Sequence, residues 1–305
     1  MTSTKPLRIV VAINPAASFG RGRAVGPAVV QSLRGAGHLV TSLTEPTFLE
    51  LIESARNAVA DKPDALVVVG GDGMVNLAAQ VLAGTNVPFG LVPSGTGNDM
   101  ARGLGIPIGN AEEAIEALLA ALHRAPRIID VGRVTNSSGQ VSLFACVLSA
   151  GFDAVVNERA NLMRWPKGKS RYNLALLREL AMLRPLRYRL TVDGTVVETD
   201  AVLISIANNT SFGGGMMVTP DALLDDGEFD VLVVQPLSRV AFLRIFPRVF
   251  QGTHISDPRV TVYRGRSIRV EADRVIAYAD GERVGALPVD IEVLPGALRV
   301  LAAQP

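Results

Sequence analysis

The sequence predicts an α/β unit, a doubly wound parallel sheet, followed by a mainly antiparallel β-sandwich, and three observations predict it. Apolar segments of strand length alternate with segments of helical periodicity through the first 130 residues. Beyond Asp130 that alternation gives way to short runs of β-formers. At 305 residues the chain also exceeds one ordinary domain. Two domains are therefore expected, over residues 1–132 and 133–305, with the extreme C-terminus left open to return to the first.

The first strand is read over residues 7–14, and a helix over 23–35 is stopped by glycine. Strand 38–43, helix 48–60, strand 65–69, helix 75–82 and strand 88–92 follow, separated by Gly, Pro or Asp. This is the order of an open parallel sheet with helices on both faces. The second half reads as strands over 187–192, 196–207, 228–234, 267–272 and 289–293, interrupted by a long polar and helical insertion over 154–183. No internal repeat or low-complexity tract is visible.

Composition removes several classes of function. Hydrophobic residues are 48% and charged residues 19%, yet no apolar window is long enough to span a bilayer, and residues 1–8 lack the core of a secretory signal. A cytoplasmic location with at most peripheral membrane contact is expected. The single cysteine, Cys146, excludes an internal disulfide and sits in an apolar strand-like run, so it reads as core. His38, His123 and His254 are scattered without ligand spacing, against zinc chemistry and a Ser/His/Asp arrangement. A formal net charge of +1 gives no nucleic-acid signal.

In a doubly wound sheet ligands gather beyond the carboxyl ends of the strands. Three loops there are unusual: the segment from Asn14 through Pro15, Ala16, Ala17 and Ser18 to Gly22; Gly70-Gly71-Asp72-Gly73; and Pro93-Ser94-Gly95-Thr96-Gly97-Asn98-Asp99. Glycine at 70, 71 and 73 lets backbone N–H groups approach an anion at a helix N-terminus. One such turn is an ordinary strand-to-helix connection; three at neighbouring strand ends suggest a phosphate cradle. A carboxylate at Asp72 beside phosphate calls for an intervening cation, which favours a Mg²⁺-bridged triphosphate, although Asp72 could simply cap the following helix. No P-loop or dinucleotide fingerprint occurs.

Taken in order, Asn14-Pro15, Gly70–Gly73, Pro93–Asp99 followed by Ala101-Arg102, Asp130-Val131-Gly132, Gly151–Ala154, Asp226-Gly227 and Asp280-Gly281-Glu282 give the chain a specific resemblance. It resembles the bacterial diacylglycerol kinases, a lipid kinase family related to sphingosine and ceramide kinases, over nearly its whole length. The resemblance implies ATP bound by Asn14, Pro15, Ala16, Ala17, Ser18, Thr44, Gly70, Gly71, Asp72, Gly73, Met74, Val75, Asn76 and Thr96. Thr44 rests on resemblance alone. Relatives usually have threonine where this chain has Met74, removing one hydroxyl contact, and often asparagine where it has Cys146.

The resemblance further implies that the acceptor's proton is taken within Asp280-Gly281-Glu282, with Asp280 preferred and Glu282 close behind; the same residues also read as a hairpin turn. Asp72, Asp99 and Asp130 would form an acidic network around catalytic Mg²⁺, although Asp99 could cap the helix after it and Asp130 could end a strand. A second Mg²⁺ is implied at the Leu223 carbonyl, the Asp226 side chain and the Glu228 carbonyl, a stretch that otherwise reads as a turn.

The lipid half is less specific. Between Arg159 and Arg189 lie seven Arg and two Lys against Glu179, with Trp165 and Tyr172 interleaved, so anionic membrane contact is expected unless this is a solvated basic helix. Gly213–Met217 could wall an acyl pocket. The expected activity is transfer of the ATP γ-phosphate to the hydroxyl of diacylglycerol. A sphingoid-base or ceramide kinase, an NAD kinase and a non-catalytic lipid-binding protein are the rivals, and a homodimer is left open.

Overall fold

The computed structural model describes residues 5–14, 24–151, 156 and 184–303. The Pro15–Ser18 stretch and residues 159–183 of the basic 159–189 segment lie outside the described residues. The chain divides into two compact units, the first made of Met1–Val131, Gly213–Gly215 and Pro295–Pro305, the second of Gly132–Phe212 and Met216–Leu294.

In the first unit the elements alternate as β1 (Arg8–Ile13), α1 (Val25–Gly35), β2 (Leu39–Leu43), α2 (Phe48–Ala60), β3 (Ala65–Gly70), α3 (Asp72–Leu82), β4 (Phe89–Pro93), α4 (Asp99–Gly103) and α5 (Ala111–Ala121). The strands pair in parallel in the order β2-β1-β3-β4. Central strand β3, Ala-Leu-Val-Val-Val-Gly, is buried along its whole length, as a parallel strand covered on both faces must be. Ile9, Val11, Val67 and Val69 meet Val29, Leu33, Ile115 and Leu118 of α1 and α5 in one core. Local signals set the helix starts. Thr47 and Glu50 form a reciprocal capping box at α2, and the Asn110 side chain accepts the amides of Glu112 and Glu113 at α5.

The second unit carries β6 (Val141–Phe144), β7 (Val147–Gly151), β8 (Leu186–Val192), β9 (Thr195–Ala201), β10 (Leu203–Ala207) and β11 (Phe229–Val234). After helix α6 (Arg239–Val249) come β12 (Val260–Gly265), β13 (Ser267–Glu271), β14 (Ile276–Ala279) and β15 (Glu282–Ala286). One antiparallel sheet runs β12-β11-β10-β7-β14-β15. The other contains β9-β8-β13, with β13 paired to residues 289–292. Leu148, Ile204, Ile206 and Val231 from the first sheet and Tyr188, Leu190, Ile268, Val270 and Ile291 from the second share one apolar core, which makes this unit a sandwich.

Two strands span the division between units: β5 (Arg127–Asn136) and β16 (Val289–Val300). The end of β16 belongs to the first unit, where Val300 pairs in parallel with Phe89 and the Leu301 amide donates to the Phe89 carbonyl at 2.8 Å.

Candidate functional site

The carboxyl ends of β1, β3 and β4 bring Asn14, Gly70 and Pro93 into neighbouring positions: Ile13 pairs with Val69, Gly70 pairs with Pro93, and the Asn14 amide donates to the Val69 carbonyl at 3.5 Å. The two glycine loops touch through their backbones. Ser94 donates its amide to the Gly70 carbonyl at 3.0 Å, and a methyl group at Gly95 would overlap Gly71, lying 2.9 Å from its nitrogen. Only glycine permits that approach. Asn98, in the left-handed region at φ 55°, closes the second loop by accepting the Gly95 amide and donating to its carbonyl.

At the start of α3 a methyl group added to Gly73 would meet nothing within 4 Å. The Met74 and Val75 amides donate to the Gly71 carbonyl at 2.9 and 3.4 Å, so the amides of Asp72 and Gly73 are the donors at this helix start that lack an acceptor in the preceding turn. Met74 is 1% exposed and packs its side chain over Gly70. Val75 and Asn76 are also buried, and the Asn76 carbonyl oxygen accepts from Gln80 at 2.6 Å. The side chains of these three residues are therefore taken up by packing and, for Asn76, by the bond from Gln80. The expected loss of a hydroxyl at Met74 is a change in packing beneath the loop. Thr44, just beyond β2, and Thr96 are exposed.

Asp72 does not cap its own helix. It accepts the amides of Asp99 at 2.7 Å and Met100 at 3.2 Å, capping α4 from across the loop. Burial pushes its carboxyl above the ordinary range, the charge of Asp99 adds to this, and the amides of Met100, Asp99 and Asn98 oppose it. Asp99 accepts the amides of Gly214 at 2.7 Å and Gly215 at 2.8 Å and pairs with Arg102 at 2.6 Å. The glycine run expected to wall an acyl pocket is thus anchored to Asp99 within the first unit. Asp72 and Asp99 come together on either side of Gly97. Asp130, buried on β5, instead accepts the Gly296 amide at 2.7 Å.

In the second unit Asp280 and Gly281, both at positive φ, form the turn between β14 and β15. The Asp280 carboxylate accepts the amides of Ala145 at 2.7 Å, Cys146 at 2.9 Å and Val147 at 3.1 Å. The same three-residue segment is gripped from its other side. Asn208 donates its side chain to the Ala145 carbonyl at 3.0 Å, and the amides of Asn208 and Asn209 donate to the Cys146 carbonyl. Asn208 and Asn209 are fully buried and were not singled out from sequence; a polar pair ending an apolar strand was the available signal. Glu282 is exposed.

The Asp226 carboxylate accepts the Glu228 amide and pairs with Arg264, which also approaches Glu228 and Asp230. A cation here would have to displace the guanidinium. Among the described residues no group of three or more His, Cys, Asp or Glu is arranged to hold a metal.

A small apolar pocket of about 80 Å³ lies in the second unit between α6 and the β10–β11 face, lined among others by Leu203, Leu232, Phe242, Ile245, Phe246 and His254. His254 bonds the Val218 carbonyl through Nε2 at 3.0 Å, and burial lowers its pKa, keeping the ring neutral in this setting. No described helix is long and apolar enough to cross a membrane.

Known proteins share this arrangement. Residues 8–134 match the diacylglycerol kinase catalytic domain, and residues 146–302 match the YegS C-terminal NAD kinase beta sandwich-like domain. A diacylglycerol kinase of Mycobacterium tuberculosis (strain ATCC 25618 / H37Rv) is 43% identical over 245 residues, 80% of this chain and 78% of the relative. That of Bacillus subtilis (strain 168) is 27% identical over 264 residues, 85% of this chain and 84% of the relative. A solved structure from Bacillus anthracis str. Sterne, assigned as a diacylglycerol kinase, is similar with a TM-score of 0.77 at 26% identity, covering 98% of each chain. With both domain matches in tandem and 43% identity sustained over 80% of its length, the chain belongs to the diacylglycerol kinase family.

Proposed function

We propose that the protein is an ATP- and Mg²⁺-dependent kinase that transfers the γ-phosphate to the hydroxyl of diacylglycerol, giving phosphatidic acid. The observation that carries the nucleotide half is the glycine cradle: two loops in backbone contact, with open space at Gly73 in front of a helix N-terminus. Backbone amides and a helix dipole suit phosphate oxygens and leave no room for bulkier recognition. When bound, ATP with Mg²⁺ supplies the phosphoryl group and neutralises its charge.

Each protein group has a role in this reading. The loops after β1, β3 and β4 hold the phosphates in one orientation, which is most of what phosphoryl transfer asks of a protein. Asp72 and Asp99, fixed by backbone amides, give a divalent cation an anionic neighbourhood. Asp280 is the acceptor for the hydroxyl proton, with Glu282 two residues on. The pocket under α6 has the apolar lining of an acyl-chain site, although its volume of about 80 Å³ would have to widen to admit a chain. A second Mg²⁺ at Leu223, Asp226 and Glu228 is left out, because Arg264 occupies Asp226.

The test is transfer of labelled γ-phosphate from ATP to diacylglycerol, monoacylglycerol, sphingosine, ceramide and NAD, with and without a Mg²⁺ chelator. Labelled phosphatidic acid, lost on chelation, is the expected result. Labelled sphingoid lipid or NADP would move the acceptor, and no transfer to any of them would reject the kinase reading.

A further inference from the structure

Helix α6 is apolar on two separate faces. Toward the sheet, Phe242, Ile245, Phe246 and Val249 line the pocket. At about 100° per residue, Val240, Leu243, Pro247 and Phe250 fall within an arc of about 80° on the other side. They are exposed, Val240 by 59%, Leu243 by 56% and Phe250 by 52%. Single exposed apolar residues are normal, but a row of four along one helix face, apart from the face already packed, is not.

The charges of the segment that carries the row have one sign. Exposed Arg239 lies about 20° beyond one edge of the arc and exposed Arg244 about 40° beyond the other. No Asp or Glu occurs in residues 231–256. We propose that this face of α6 docks on an anionic lipid bilayer, with Val240, Leu243, Pro247 and Phe250 entering the headgroup–acyl boundary and Arg239 and Arg244 at the level of the lipid phosphates. The choice of occupant rests on the lipid-kinase reading.

Two features favour a lipid surface over a second copy of the chain. Two copies meeting through this face would bring like charges together with no acid from the same segment to answer them, whereas anionic headgroups supply the counter-charge. The helix is also the roof of the apolar pocket, so a bilayer on its outer face lies about one helix diameter, ~10 Å, from the pocket. Phe246 stacks on Phe242 at 5.5 Å and meets Phe250 edge-on at 6.0 Å, joining the inner and outer faces of the helix.

The experiment is flotation of the full chain, without nucleotide, on phosphatidylcholine vesicles with and without phosphatidylglycerol. Wild type is expected to float with the anionic vesicles. The double variant Leu243→Ser/Phe250→Ser should lose roughly tenfold or more in partitioning, Leu243→Met/Phe250→Leu should keep it, and Arg239→Gln/Arg244→Gln should weaken the preference for anionic lipid. Thermal melting of each variant checks that the fold is kept. Flotation of the serine variant at the wild-type level would overturn the proposal, as would failure of wild type to float or a dimer lost in the variant while flotation persists. Phosphate transfer to a monomeric short-chain diacylglycerol separates the two readings: transfer without flotation rejects docking alone, and flotation without transfer rejects the kinase alone.

Discussion

Asp72 and Asp280 are carboxylates held by backbone amides, and their environments predict different consequences for the same Asp→Asn change. The Asp72 carboxyl is raised, by burial first and then by Asp99, so the folded chain holds its proton more tightly than the unfolded chain does. The stability this contributes is complete below the unfolded carboxyl value and is lost as pH rises through the folded one. Asp72→Asn keeps an acceptor for the Asp99 and Met100 amides and removes the charge. Its melting temperature is expected to exceed wild type near neutral pH, with the difference vanishing in acid, while kcat falls roughly 10²–10³-fold. Calorimetry across pH would show the opposite order if the amides require the anion. Asp280 carries three amides, so Asp280→Asn turns an N–H₂ toward donors and should cost about 1–3 kcal/mol in chemical denaturation as well as transfer. Exposed Glu282→Gln should leave stability unchanged. If Asp280 takes the proton, its variant loses roughly 10²–10⁴ in kcat and Glu282→Gln stays near wild type; the reverse ranking moves the base to Glu282.

At the scale of elements, the contact between the glycine loops separates two glycines that look equivalent in sequence. Gly95→Ala places a methyl group against the Gly71 backbone and is expected to lower both the melting temperature and ATP affinity. Gly73→Ala meets nothing and lies in the first turn of α3, so stability should hold or rise by up to about 1 kcal/mol while ATP binding weakens. Melting curves with calorimetric ATP titrations check both; unchanged ATP affinity in Gly73→Ala would place the nucleotide elsewhere. The loops themselves were legible, because glycine at strand ends is a local signal. What joins them was not. Asp72 reaches residues 27 and 28 positions away, and Asp99 reaches Gly214 and Gly215, 115 and 116 away, pairings no local pattern encodes. Helix α6 was also missed: Ser238 caps it by accepting the Ala241 amide, but Pro247 and its two apolar faces hide the one-sided period of a surface helix.

Across the whole molecule, the α/β order of the first unit was readable as far as β4 because each strand and helix there has its own periodicity and a punctuating Gly, Pro or Asp, whereas α5 was not singled out. Helix α2 is found at residues 48–60 as read, and the strands lie within two residues of their expected ends. The β-rich second half was readable as strands, yet β12 escaped notice and β16 runs on past Pro295-Gly296 where the sequence suggested a stop at 293. A proline and a glycine normally end a strand; here the stretch after them continues to Val300, which pairs with β4. Arg264, the partner of Asp226, lies 38 residues away and likewise left no local mark.

That last pairing bears on how the protein is made. Phe89 receives its neighbour from Val300, the Gly84 amide its acceptor from Ala297, and the first core its Leu301, so the sheet begun by β1 is completed by residues more than 200 positions beyond β4. A nascent chain of 131 residues holds the cradle loops but has a bare edge at β4, open to pairing with other chains. Emergence of residues 297–301, rather than of the loops, is when the nucleotide half becomes whole, and a product truncated before them would carry the cradle without the strand that completes its sheet.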